Sequence, residues 1–236
     1  MNFQELLKQF STVEAKIHYK AKNQTLVASA LVHRSFLNEN KDVPVDHNER
    51  LEFLGDSVLN LIVAQYLFES LPGTQEGELS TIRSHAVSSQ ACLGYMKSLD
   101  IHDFILVGKG EKTQAAKGRT SILADTFEAL LGAIYLDGGI ESARQFFLDH
   151  FSYALHEIWK KPSKNFKAEL QEYVQKELHI MPQYRVLQET GPDHDRHFEI
   201  GVYIDEKLVG TGQGSTKKEA EQQAAGVALQ TIAPKK

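Results

Sequence analysis

The chain has 236 residues, enough for one or two domains at roughly 100–200 residues each. Its 42% hydrophobic and 24% charged residues exclude wholesale disorder, and its single cysteine, Cys92, excludes an internal disulfide scaffold. Lys and Arg number 26 against 31 Asp and Glu, and the formal charge of −5 excludes a uniformly cationic coat, so a nucleic-acid site must rest on local clusters.

The N-terminal MNFQELLKQF carries polar and acidic residues where a secretory signal needs an apolar core, which leaves the cytoplasm as the default location. Apolar residues recur at helical spacing in Leu26, Val27, Ala30 and Leu31, and again in Leu51, Leu54, Val58, Leu61 and Ile62. The segments after Ser80 and after Ser121 repeat the pattern. The stretch from Leu51 to Phe68 is broken by Glu52, Asp56, Asn60 and Gln65, so no membrane span and no membrane partner are expected. Breaks fall at Val43-Pro44, at Pro72-Gly73, in a loop from Gly108 to Gly118, and at Asp137-Gly138-Gly139. No alternating run interrupts the helices, which predicts an all-α domain over residues 1–158. A polar, proline-bearing linker follows at 159–164, through Lys160-Lys161-Pro162-Ser163-Lys164.

After Asn165 the period changes. Phe166, Leu170, Tyr173, Val174 and Leu178 form one helix face, and residues 183–189 read as a strand. His197 to Ile204 alternates strictly, with Phe198, Ile200, Val202 and Ile204 on one side. Asp205-Glu206 turns the chain into a strand over Lys207 to Gly212, and Ala220, Ala224, Val227, Ala228 and Ile232 give a last helix. The order predicts a small α+β domain, α-β-β-β-α, over residues 165–233. Residues 164–236 carry a net charge of −1 and the rest −4, so charge does not separate the two parts.

Two helices carry carboxylates where apolar residues are expected. At about 100° per residue, Glu49, Glu52 and Asp56 lie within a ~60° arc, and Asn60 follows one turn on. The helix is apolar on nearly every other side, which predicts a central position in the bundle. In ILADTFEALLGAIYL, Asp125 and Glu128 stand three apart among Ile122, Leu123, Phe127, Leu130 and Leu131, and Gly132 on that face lets another helix come close. A buried carboxylate must be paired, protonated or bound to a metal. Glu52, Asp56, Asp125 and Glu128 together make an oxygen-donor set suited to Mg²⁺ or Mn²⁺, ions that activate water and offset charge on a phosphoryl group. Other readings stand beside this one. Asp46-x-x-Glu49 can cap the helix start, and Glu52 and Asp56 can pair with Arg50 or Arg83. A di-iron bundle needs Glu-x-x-His on two helices, and no Glu here has a His three residues later. A zinc site lacks ligands at the right spacing. Among the histidines, His33, His85 and His156 read as packing or surface residues.

In GTGQGSTKKEAEQQAA, Thr216-x-x-Glu219 forms a capping box, so a helix starts at Lys217. Lys217 and Lys218 oppose the helix dipole in the first turn, which suits them, with the glycine-rich approach, to phosphate oxygens; the alternative is a solvated charged turn. Gln171, Glu172 and Gln175 on the polar face of the first helix, and the loop Gly191-Pro192-Asp193-His194, supply short polar groups. Such groups reach 2′-hydroxyls and base edges in the shallow groove of A-form RNA.

HNERLEFLGDSVL (His47 to Leu59) resembles the signature of the ribonuclease III family, and EGELSTIRS (Glu76 to Ser84) and ADTFEALLGAIYLDGG (Ala124 to Gly139) resemble its later motifs in the same order. FKAELQEYVQ, GPDHDRHF and GTGQGSTKKEAEQQAA resemble a double-stranded RNA-binding domain, and the two-domain order is similar to the bacterial form. The resemblance implies a homodimer of helical nuclease domains that hydrolyses phosphodiester bonds in double-stranded RNA. It implies Mg²⁺ as cofactor, with Mn²⁺ as a substitute, and processing of ribosomal and other structured RNA precursors. Position by position it makes Glu52, Asp56, Asp125 and Glu128 metal ligands, with Asp56 and Glu128 catalytic, and Glu49 and Glu76 additional acids. Phe53 falls on the aromatic that inserts into the partner subunit. Gln171, Glu172, Gln175 and His194 match groove contacts, and Lys217 and Lys218 match phosphate contacts. Lys109, Lys112, Lys117 and Arg119 are further candidates for the RNA backbone. Four positions depart from the family pattern: Ala168 for a threonine, Glu221 for a lysine of many RNA-binding domains, and Ala21 and Gln24 for an aromatic and a proline.

Overall fold

The computed structural model describes residues 1–113, 116–160, 166–191 and 196–232, without the side chains of residues 112–119. The chain forms two compact units, Met1–Pro162 and Ser163–Lys236.

In the first unit short helices lead to long ones: α1 (Phe3–Lys8), α2 (Phe10–Ile17), α3 (Gln24–Ser29), α4 (Arg34–Glu39), α5 (Glu49–Ser70), α6 (Glu76–Ala86), α7 (Ser89–Leu99), α8 (Lys109–Thr113), α9 (Ala116–Gly138) and α10 (Ile140–Lys160). Local chemistry marks their ends. Asn2 and Glu5 form a reciprocal capping box on α1, and the Ser88 hydroxyl accepts from the Ala91 N–H at the start of α7. A short 3-10 helix spans His102–Phe104, and the β pairing among the described residues of this unit is confined to an isolated bridge between Val32 and Leu106.

The central helix is α9. Phe127, Ala129, Leu130, Leu131, Ala133 and Ile134 are wholly buried, and Phe127 meets Tyr95 of α7 and Phe151 of α10 at centroid distances of 5.2 and 5.4 Å. The expectation that α5 is central needs correcting. Val58, Leu59, Ile62, Val63 and Leu67 pack into the core, but Phe53, Leu61 and Phe68 are 80%, 56% and 75% exposed. By length and composition α5 also passes for a membrane span, whereas its buried apolar face is core of this unit. The α5–α9 crossing is a backbone contact. A Cβ on Gly55 would run into the Glu128 carbonyl, and one on Gly132 into the Leu51 carbonyl. Any side chain at either position would force the helices apart.

The loop between α2 and α3 is held by two acids. Asp137 accepts from the Tyr19 hydroxyl at 2.6 Å and from the N–H groups of Lys22 and Asn23 at 2.8 and 2.7 Å. Buried Glu14 accepts from Lys20, the Ala21 N–H and Gln24. Gln24 thus has a partner that a proline at its place would lack. The loop expected from Gly108 to Gly118 is instead helical at Lys109–Thr113 and again from Ala116. Glycine inside a helix costs only about 1 kcal/mol, which Gly110 and Gly118 do not carry far enough to break it.

The second unit runs α11 (Phe166–Leu178), β1 (Gln183–Thr190), β2 (His197–Ile204), β3 (Lys207–Gly214) and α12 (Lys217–Ile232). The sheet is antiparallel in the order β1-β2-β3. Asp205 and Glu206, both at positive φ, make the two-residue turn between β2 and β3. The inward residues of β2 are those the alternation marked, with Ile200 and Val202 at 2% and 0% exposure. Leu170 and Val174 of α11 and Ala224, Ala225 and Ala228 of α12 complete the core with Val202 and Ile204.

Candidate metal centre and RNA-binding face

The glycine crossing positions the acids. Gly55 packs on the Glu128 backbone, so Glu52 and Asp56, flanking Gly55, come to the same edge as Asp125 and Glu128. Their electrostatics show the convergence. Burial raises Glu52 above the usual carboxyl range, and the charges of Asp125, Glu49 and Asp56 push it further. Glu128 is pushed up to about 7, by burial first, opposed by a hydrogen bond from Cys92, with Asp56, Glu52 and Asp125 adding to the rise. Asp125 is raised by burial and lowered in part by His33. The acids are not interior, as the sequence led us to expect. Asp56 is exposed and the other three are half-buried, so they line a rim open to solvent.

Among the described residues no ion pair neutralises these four acids. Arg50 pairs with Asp46 at 3.9 Å, rather than with Glu52 or Asp56. Asp56 Oδ1 accepts from Asn60 at 3.0 Å, and Glu128 Oε1 accepts from the Cys92 thiol at 3.5 Å. Among the described residues no three His, Cys, Asp or Glu side chains close into a finished ligand cage. What fits a hard divalent cation is the donor chemistry: oxygen ligands that repel one another and lack a cationic side chain.

Glu49 differs from the four. It is the first residue of α5, with Asn48 as N-cap, so the Asp46–Glu49 cap does not form. Its carboxylate pairs with Arg34 at 3.1 Å and lies 3.7 Å from His47. Glu76 opens α6, is exposed, and accepts from the Ser80 hydroxyl at 2.7 Å; among the described residues no contact ties it to the four acids. Phe53 projects into solvent beside them.

Three residues near the site escaped the sequence reading. Asn48 is buried and donates to the Ala30 carbonyl at 3.2 Å, anchoring the start of α5. His33 caps α4 through Ser35 and acts electrostatically on Asp125. Cys92 touches Glu128. Nothing local marked any of the three: Asn48 stands among Asp46, His47, Glu49 and Arg50, so its polarity did not set it apart.

In the second unit Gln171, Glu172 and Gln175 are exposed on α11, and Lys217 and Lys218 are exposed at the start of α12. Lys217 Nζ lies 5.5 Å from the centre of the Phe198 ring, a cation–π contact that limits its reach. The capping box forms in altered form. Thr216 accepts from the Glu219 N–H at 3.2 Å, while the Glu219 carboxylate accepts from the N–H and hydroxyl of Ser215, one residue earlier than expected. Gly210, Gly212 and Gly214 do not form a phosphate approach. A Cβ on any of them would strike α12 at Ala220, Ala224 or Ala228, so these glycines let the helix lie on β3. Glu221, at the departure from lysine, pairs with Lys167 at 2.6 Å and ties α12 to α11. His194, with Pro192 and Asp193 of its loop, and the side chains of Lys112, Lys117 and Arg119 lie outside the described residues; Lys109 is exposed.

Comparison with known proteins finds a counterpart for each unit. The Ribonuclease-III-like family matches residues 23–155 and the double-stranded RNA binding motif residues 166–232. Ribonuclease 3 of Protochlamydia amoebophila is 47% identical over 97% of this chain and 94% of its own length. The chain belongs to the ribonuclease III family. Ribonuclease 3 of Desulforamulus reducens is 41% identical over 95% of this chain and 92% of its own length. The nuclease domain of the Campylobacter jejuni ribonuclease III superposes with a TM-score of 0.53 at 36% identity, covering 66% of this chain and 98% of that one. Membership makes the chain an endoribonuclease of double-stranded RNA and implies dependence on a divalent metal.

Proposed function

We propose that this chain is a Mg²⁺-dependent endoribonuclease, with Mn²⁺ as an effective substitute, in which Glu52, Asp56, Asp125 and Glu128 hold the metal. The observation that carries the reading is the coupled set of four carboxylates at the Gly55–Gly132 crossing, without a cationic partner among the described residues. The bound ion supplies an activated water and positive charge for the phosphoryl group. The protein's own part is to hold these acids together against their repulsion. Asp56, exposed and braced by Asn60, and Glu128, braced by Cys92, stand nearest the chemistry in this reading. Glu49, held by Arg34, and Glu76 at the head of α6 are auxiliary acids.

The second unit supplies duplex affinity through Lys217 and Lys218 on phosphates and through Gln171, Glu172, Gln175 and His194 in the minor groove. Lys109, with Lys112, Lys117 and Arg119, adds backbone contacts from the nuclease unit. The enzyme works as a homodimer joined through the exposed apolar face of α5, with Phe53 as anchor; a Campylobacter jejuni relative has a region involved in dimer formation in its nuclease domain. It acts in the cytoplasm on precursors of ribosomal and other structured RNA. The test is incubation with long duplex RNA with Mg²⁺, with Mn²⁺ and with chelator. Cleavage that requires the metal and spares single strands is expected, and metal-independent cleavage or binding without cleavage refutes the proposal.

A further inference from the structure

We infer that Cys92 is a positioning residue for Glu128, fixing its carboxylate within the acid cluster through an S–H···O hydrogen bond. The inference rests on the metal-centre reading above.

Cys92 stands in the first turn of α7, whose backbone is set by the Ser88 cap and by the Tyr95 hydroxyl donating to the Ala86 carbonyl at 2.9 Å. The side chain is wholly buried. Its sulfur lies 3.5 Å from Glu128 Oε1 and 3.9 Å from the Val87 carbonyl, so the carboxylate is the nearer acceptor. Among the described residues this thiol is the donor that reaches the Glu128 carboxylate. It comes from a helix other than the two that carry the acids. A lysine or arginine at this place would neutralise Glu128 and compete with a cation. A neutral donor orients the carboxylate and leaves its charge for the metal. It occupies one of the carboxylate's roughly four lone-pair sites. Groups that orient metal ligands in this way typically set metal affinity by 10–100-fold, and a thiol, as a weak donor, belongs at or below the lower end.

The experiment compares Cys92→Ala with Cys92→Ser in the full-length protein. The two replacements have nearly equal volume, so each leaves a similar gap, but only serine keeps a donor. Both are expected to lower the metal-free melting temperature. Cys92→Ala is expected to raise the Mg²⁺ midpoint by about three- to tenfold. That midpoint is read both from cleavage and from the Mg²⁺-induced rise in melting temperature. Cys92→Ser is expected to stay within about twofold of wild type, consistent with retained hydrogen bonding. Equal shifts in the two variants, or no shift in either, overturn the inference while the metal centre stands. A wild type whose melting and cleavage ignore Mg²⁺ overturns the metal centre and the inference with it.

Discussion

Glu128→Gln separates a metal ligand from a structural acid, because the two roles predict opposite changes in stability. Burial and the neighbouring acids raise this carboxyl from 4.5 to about 7. A group raised in the folded state contributes stability that is full below its unfolded value and is lost as pH rises through the folded one. Metal-free wild type at pH 8 therefore carries the whole cost of an ionised Glu128. The rise corresponds to ~3 kcal/mol if taken at face value. The carboxyl is only half-buried, and solvent screening reduces this to ~1–2 kcal/mol. Glutamine keeps the shape, keeps an oxygen to accept from Cys92, and removes the charge. Without metal, Glu128→Gln should melt roughly 2–6 °C above wild type at pH 8. The gain should shrink as pH falls through 7 and be nearly gone at 4.5.

With Mg²⁺ the order should reverse. Wild type gains stability by binding the ion, and the variant, short of one ligand charge, gains less. Single-turnover cleavage should fall on the order of 10²–10³-fold, because several kcal/mol of charge stabilisation go with the ligand and each ~1.4 kcal/mol is tenfold. Duplex affinity should stay near wild type, since the proposed phosphate contacts of Lys217 and Lys218 lie in the other unit. The assays are calorimetry across pH with chelator and with Mg²⁺, alongside cleavage and binding. A variant that melts several degrees below wild type at pH 8 without metal refutes the reasoning, because Glu128 would then be satisfied by a protein partner. Near-normal cleavage removes it from the ligand set.

Replacing Lys217 and Lys218 with Gln should shallow the dependence of duplex affinity on salt by about one unit of slope per lost phosphate contact, measured on a 160–236 fragment; an unchanged slope takes them out of the interface. Phe53→Ala should weaken dimerisation at least tenfold in sedimentation, as a two-fold interface loses the same anchor twice, and a wild type that is monomeric at micromolar concentration contradicts this. Asp137 feels burial first, which raises it, but hydrogen bonds from Tyr19, Lys22 and Asn23 bring it below the usual range. It stabilises the fold above its unfolded value of 3.8 and loses that effect as pH falls. Asp137→Asn should therefore cost about 1–3 kcal/mol at pH 7 and progressively less in acid, and a pH-independent difference in thermal melts would count against the account.

Features carried by one element were legible in the sequence, and features carried by a pair were not. Acids three and four residues apart share a helix face wherever the helix sits, so Glu52 with Asp56 and Asp125 with Glu128 stood out as two couples. The alternation in β2 worked for the same reason. Gly132 announced a close approach, but its counterpart Gly55 is unremarkable until the crossing is seen. Cys92 lies 36 residues from Glu128 and reads as one more apolar position of α7. The glycines of β3 were misread because phosphate approach and helix packing place the same demand on sequence, a missing Cβ; only the position of α12 decides between them. The apolar character of α5 misled in a similar way. A helix apolar on two faces can be buried on both or leave one exposed, and in this chain Phe53, Leu61 and Phe68 are exposed, the face assigned to the proposed dimer.

The placement of the acids at a glycine crossing has its own logic. Four carboxylates at one edge repel, and left to themselves they would part the helices that carry them. Side chains at a helix interface can yield by changing rotamer, whereas backbone packed on backbone cannot. With Gly55 seated on the Glu128 carbonyl and Gly132 under the Leu51 carbonyl, the separation of α5 and α9 is set by atoms that have no rotamers. The hydrophobic contacts that fix the rest of α9, through Phe127, Leu130, Leu131 and Ile134, then bear the electrostatic cost. In the proposed role the acids would meet a cation already close together, and the ion would not need to draw two helices in. The half-burial of Glu52, Asp125 and Glu128 follows from the same crossing, since the glycines bring the rim of one helix into the shadow of the other.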